Sequence, residues 1–130
     1  MKYAIALATA ALVLGTAAIA QAAANPATPA EQCFRSRDMS NHRRVDDQTL
    51  YLKVGVKDVY RLQSKGKCFT GLTSTEPLVI KTTGGSGMIC RPLDLDLSVK
   101  HGNIATPCIV DSITKLTPEE VAAIPKGQKP

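Results

Sequence analysis

A chain of 130 residues has room for one domain, and its 16 Lys and Arg against 11 Asp and Glu leave a mild net charge of +5. Two Phe, three Tyr and no Trp offer little stacking surface, and the charge signs are mixed along the chain, which excludes a nucleic-acid-binding role. Four cysteines in so short a chain point instead to a covalently stapled fold.

The first residues differ in kind from the rest. Lys2 supplies a short positive head, the run from Ala4 to Ala20 is almost wholly apolar, and Ala20-Gln21-Ala22-Ala23 gives a small-residue exit. These are the three parts of a secretory signal peptide, expected over 1–22 with cleavage after Ala22. The apolar run is slightly short for a membrane span, which needs about 20 residues. Lipid attachment is not expected either, because Cys33 lies far beyond the cleavage point. The 108 residues that remain carry a net charge of +4 once Lys2 is gone. They are expected to be soluble and periplasmic or secreted, with no stable membrane insertion.

Cys33, Cys68, Cys90 and Cys108 stand 35, 22 and 18 residues apart, so no C-x-x-C half-site exists for zinc or for redox chemistry. An even number in an exported chain reads as two disulfides, and three connectivities are open. The expected pairs are Cys33–Cys108, closing the ends of the domain, and Cys68–Cys90, linking adjacent strands.

Residues 23–32 combine Ala with Pro26 and Pro29 and read as a flexible leader. The folded body is expected over 33–116. Residues 33–44 read as a strand followed by a loop. Leu50, Leu52 and Val54 then alternate with Tyr51 and Lys53, the period of a half-buried strand. Gly55 to Asp58 form a turn, and Val59 to Leu62 return as the hairpin partner. Ser64-Lys65-Gly66-Lys67 is a further turn, and Pro77 to Ile80 a further β-branched run. Gly84-Gly85-Ser86-Gly87 lacks the Lys and the following helix of a phosphate loop and reads as a turn. Leu93 to Lys100 gives the cleanest alternation, with Leu93, Leu95, Leu97 and Val99 on one face. After the turn at His101-Gly102-Asn103, a last strand is expected from Pro107 to about Ile113. Thr117-Pro118-Glu119-Glu120 is a capping box with Pro at the first helical position, opening a short helix to about Ile124 within a 117–130 tail segment. The fold class is therefore mainly β, a small antiparallel sheet or partly open barrel with a short C-terminal helix.

Several short patterns recur in one order: Cys33-Phe34, then Val45-Asp46-Asp47-Gln48-Thr49-Leu50, then Tyr60-Arg61-Leu62 running to Cys68. Ile89-Cys90 and Cys108-Ile109-Val110-Asp111-Ser112-Ile113 complete the set. Together, over roughly Cys33 to Leu116, they resemble a bacterial secreted family known as domain of unknown function 6491. The family has a Gly-Asp soon after the third cysteine, where this chain reads Arg91-Pro92-Leu93-Asp94. The resemblance implies fold and compartment and brings no assigned activity.

The residue types that carry chemistry are few. Asp46 and Asp47 are adjacent and point to opposite faces of an extended chain, so a turn role is expected of them. Asp94 and Asp96 share a strand face at about 7 Å, yet calcium wants six or more oxygens, usually from a loop. No metal site and no cofactor are expected. His42 and His101 are the only histidines, and neither sits in a nucleophile motif. Arg35, Arg37, Arg43 and Arg44 form the densest basic cluster, the set on which an anion-binding reading rests. The leading expectation is a non-enzymatic structural or protein-binding module; the sequence names no partner, and another envelope protein is the candidate. The alternatives are a small periplasmic hydrolase using Asp46, Asp47 and His42, and an anion-binding module built on the four arginines.

Overall fold

The computed structural model describes residues 32–130, so the expected signal peptide and all but the last residue of the leader lie outside the described residues. Among the described residues the chain forms β1 (Phe34–Arg35), β2 (Met39–Arg44), β3 (Thr49–Val54), β4 (Asp58–Ser64), β5 (Leu78–Thr82), β6 (Met88–Ile89), β7 (Leu95–His101), β8 (Ile104–Cys108) and β9 (Val110–Lys115). One helix, α1 (Pro118–Ala123), follows. The fold is mainly β, as the alternations require. The strands build three antiparallel sheets in the orders β1-β6, β2-β3-β4-β9 and β5-β7-β8, and no barrel closes.

Alternation places the core. Leu50, Leu52 and Val54 of β3 are buried on one face of the four-stranded sheet, opposite Leu62, Tyr60 and Asp58 of β4. Leu95, Leu97 and Val99 of β7 supply the corresponding face of the three-stranded sheet. Phe34 and Ile89, paired across the short β1-β6 ribbon, join the same cluster with Phe69 and Leu72 from the connection after β4. The Phe34 and Tyr60 rings meet at a centroid distance of 4.5 Å and an interplanar angle of 50°, a tilted contact that adds to simple burial. On the other face of the four-stranded sheet, α1 buries Ile124 against Val59 and Leu116. Its start is the expected capping box: Thr117 Oγ1 accepts from the Glu120 N–H, and Glu120 Oε2 accepts from the Thr117 N–H. The two-residue β7-β8 turn has Gly102 at φ 60° in its first central position, the conformation a twisted hairpin needs and a side chain resists.

Four expectations are corrected. The disulfides are Cys33–Cys90 and Cys68–Cys108, not Cys33–Cys108 and Cys68–Cys90. The reason is register: Phe34 pairs with Ile89, which puts the flanking Cys33 and Cys90 opposite each other, with Cα atoms 4.1 Å apart. Residues 33–44 are not a strand and a loop, because a 3-10 turn at Ser36–Asp38 reverses the chain into a second strand, β2, along the sheet edge. The strand expected from Leu93 begins at Leu95, since Pro92–Asp94 winds into another 3-10 turn and leaves Leu93 82% exposed. Asp94 therefore does not share a strand face with Asp96. Its carboxylate accepts from the Cys90 and Arg91 N–H groups and from the Arg91 guanidinium. Last, the single strand expected over Pro107–Ile113 is two. The chain leaves the three-stranded sheet at Cys108 and enters the four-stranded sheet at Val110. Ile109, at the crossing, has an exposed side chain, and its carbonyl accepts from the Lys65 N–H.

Candidate functional site

The acidic groups of the alternative hydrolase reading are engaged one by one. Asp46 Oδ1 accepts from the Gln48 N–H at 2.8 Å, the side-chain turn expected of an Asp before a strand. That bond holds the Asp46 carboxyl below its usual range. Asp47 Oδ1 takes the Arg44 guanidinium at 3.0 Å. His42 instead lies on the inward face of β2, opposite Leu52, beside the backbone carbonyls of Thr73 and Glu76. The structure does not bring the three together into one acid–base set.

Burial is the largest influence on His42 and pushes its imidazole below the ordinary value of 6.5, against the two carbonyls and with the help of Arg43. Nε2 is buried without a hydrogen-bond partner among the described residues. The sign of the pH effect follows. The unfolded chain takes up a proton near pH 6.5 that the folded chain resists, so stability falls as pH drops below that value. Melting temperatures measured between pH 8 and 5 should decline for the wild type and stay flatter for His42→Gln. Parallel profiles would show that the fold exerts no such hold on the ring.

An open cavity of about 500 Å³ lies at one end of the core, lined by Phe34, Arg35, Asp38, Val54, Tyr60 and Lys115 among others. Lys115 Nζ donates to Asp58 Oδ2 at 2.9 Å across its wall. Burial pushes the Tyr60 hydroxyl up, so it stays protonated at neutral pH. Opposite charges here neutralise one another, and the wall is a packed ion pair rather than a reactive group.

The four arginines of the basic cluster separate. Arg35 and Arg37 belong to β1 and the turn after it, and Arg37 pairs loosely with Asp38 at 3.9 Å. Arg44 is tied to Asp47. Arg43 alone enters a larger arrangement, on the outward face of the four-stranded sheet. There the register sets Arg43 opposite Tyr51, Tyr51 opposite Arg61, and Arg61 opposite Thr114. Neighbouring strands are about 4.8 Å apart, so Arg43 and Arg61 flank Tyr51 on this face. Lys53 stands two residues along β3 on the same face. Among the described residues none of Arg43, Lys53 and Arg61 has an ion-pair partner. The Nε atoms of Arg43 and Arg61 are buried with no acceptor, an uncommon state for a buried donor. A cleft of about 230 Å³ opens between Arg61, Tyr51 and α1, where Ile124 and Pro125 form its apolar side.

Sequence reasoning found Arg43 and missed Tyr51, Lys53 and Arg61. Their signal was present in the alternation of β3 and β4, whose polar positions had to share the outward face once the hairpin register was known. Among the described residues no three His, Cys, Asp or Glu side chains are grouped as metal ligands.

Over residues 1–129 the chain matches the family model described as Family of unknown function (DUF6491), nearly its whole length. The chain belongs to that family. No curated protein and no solved structure matches it. Two disulfides are consistent with an extracellular or periplasmic setting. No helix of the described residues is long and apolar enough to cross a membrane.

Proposed function

We propose that this DUF6491 protein is an exported, non-catalytic binding module that docks an acidic segment of another envelope protein on the Arg43–Tyr51–Arg61 row. Export follows from the sequence: a signal peptide over 1–22 is removed, a leader to residue 32 precedes the stapled domain, and the product resides in the periplasm or outside the cell. The observation that carries the docking reading is the pair of buried guanidinium Nε donors without acceptors, flanking an aromatic ring. A carboxylate brought by a partner meets the outer N–H groups of these uncompensated guanidinium cations, through charge-assisted and often bidentate bonds. The ring and the apolar side of the α1 cleft add area that excludes water around them. The non-catalytic part is supported by the acids themselves. Asp46, Asp47, Asp58, Asp94 and Glu120 each serve a turn, an ion pair or a cap.

The test is binding of a fluorescent glutamate-rich peptide to the oxidised protein, read by anisotropy at low salt. R43A/R61A should weaken binding about tenfold or more, roughly 1.4 kcal/mol, and raised salt should weaken it further. K67A/K81A removes the same charge from exposed positions elsewhere and should bind like the wild type. Equal weakening by both double variants, or displacement of the peptide by phosphatidylglycerol vesicles, would overturn the reading.

A further inference from the structure

The β1-β6 ribbon carries a second cationic feature, independent of the outward sheet face. Arg35, Ser36 and Arg37 on one side, and Gly85, Ser86 and Gly87 on the other, line an open cavity of about 340 Å³. Met88 completes the lining, and no carboxylate belongs to it. Sequence reading treated the arginines and the glycine-rich segment separately, the latter only as a turn. The ribbon register brings them together.

The loop is held rather than slack. The Ser36 N–H donates to the Gly87 carbonyl at 2.8 Å, and the Met88 N–H donates to Ser86 Oγ at 3.2 Å. Gly84, Gly85 and Gly87 take φ values of 88°, 72° and 67°, a left-handed backbone that other residues adopt only at a cost. Gly85 closes the hydrogen-bonded turn at Thr83–Gly84, and among the described residues the N–H groups of Ser86 and Gly87 have no backbone acceptor. Runs of free N–H groups in such turns form concavities that suit anions. The guanidinium groups add the charge. Arg35 has no ion pair among the described residues, and the Arg37–Asp38 contact is long, solvent-exposed and easily exchanged. The Cys33–Cys90 bond closes the ribbon one residue beyond the Phe34–Ile89 pair, so a covalent staple keeps the two walls in register.

We propose that this cavity binds a tetrahedral oxyanion, a phosphate or sulfate group carried as an ester by a small molecule or by a lipid head group. Two forked guanidinium groups and consecutive amides match three or four equivalent oxygens better than the two of a carboxylate. The volume leaves room for the group that carries the ester.

Amide NMR of the oxidised protein, titrated with inorganic phosphate at matched ionic strength, tests the site directly. Saturable shifts should centre on Gly85, Ser86 and Gly87, and R35A/R37A should weaken binding about tenfold or more. R35K/R37K keeps the charge without the fork and should fall between the two. K81A/K126A should titrate like the wild type. Shifts spread evenly over the basic surface, or identical titrations for wild type and R35A/R37A, would overturn the proposal. So would a weakening by R35A/R37A accompanied by loss of the folded spectrum with R35K/R37K unaffected. The source is read in two further arms. Tighter binding of glycerol 3-phosphate than of phosphate supports a soluble ester. Broadening of the same amides by phosphatidylglycerol vesicles, reversed by phosphate, supports a head group.

Discussion

Removing the Cys68–Cys108 bond by Cys→Ala at both positions should cost about 4 kcal/mol, and removing Cys33–Cys90 a similar amount. The bonds join residues 40 and 57 apart in sequence, and loops of that length lose about 4 kcal/mol of closure entropy from the unfolded chain. In a domain of about 100 residues a loss of that size lowers the melting temperature by roughly 15–30 °C. Such domains have total stabilities of only about 5–15 kcal/mol, so either deletion brings the protein close to unfolding at 37 °C. The two bonds also act in different places. Cys108 ends β8 and is buried in the core, and Cys68 anchors the connection that carries Phe69 and Leu72 inward. Its loss therefore loosens both sheets. Cys33–Cys90 closes only the short ribbon, and its loss should weaken phosphate binding as well as stability. Urea melts of each double variant against the oxidised wild type provide the measurement. A cost below about 1 kcal/mol would show that the sheets hold without their staples. A non-reducing peptide map should yield Cys33 joined to Cys90 and Cys68 joined to Cys108.

Leu97→Ala should be the most damaging single truncation in β7, at about 2–5 kcal/mol, while Leu93→Ala should stay within about 0.5 kcal/mol. The two leucines are equivalent in the sequence pattern, four residues apart on the same face of an alternation. In the structure Leu97 is fully buried opposite Ile80 and Cys108. Leu93 lies in the 3-10 turn with its side chain in water. Deleting Leu97 leaves a cavity between two strand partners with little room to relax, and deleting Leu93 removes nothing from the core. Paired chemical melts of the two variants decide the matter. Equal costs would place the start of β7 at Leu93 after all.

The contrast shows how far local pattern reaches. Alternation located the faces of β3 and β7 because a strand half in water must alternate. It could not say where β7 begins, because Pro92 and the Asp94 carboxylate decide that, and capping by Asp94 of the Cys90 and Arg91 N–H groups is visible only once the turn has formed. The break at Ile109 has the same character. Residues 104–113 offer nearly continuous β-forming chemistry, and only the presence of two sheets to enter tells the chain to divide. The segment over 39–44 pairs with β3 except at Ser40, and it lacks a clean alternation because it forms a bulged edge.

Local residue patterns are enough to establish that the domain is mainly β and stapled by two disulfides, and that a capped helix ends it. Those properties depend on spacing and residue type over a few neighbours, where side-chain period and hydrogen-bond capacity act locally. The tertiary structure alone decided which cysteines join, which arginines stand free and what they stand beside. Cys33 meets Cys90 because Phe34 pairs with Ile89, and Arg61 reaches the row of Arg43 and Tyr51 because three strands share one register. Register is a property of pairs distant in sequence, settled by burying both inner faces at once, so no window along the chain contains it.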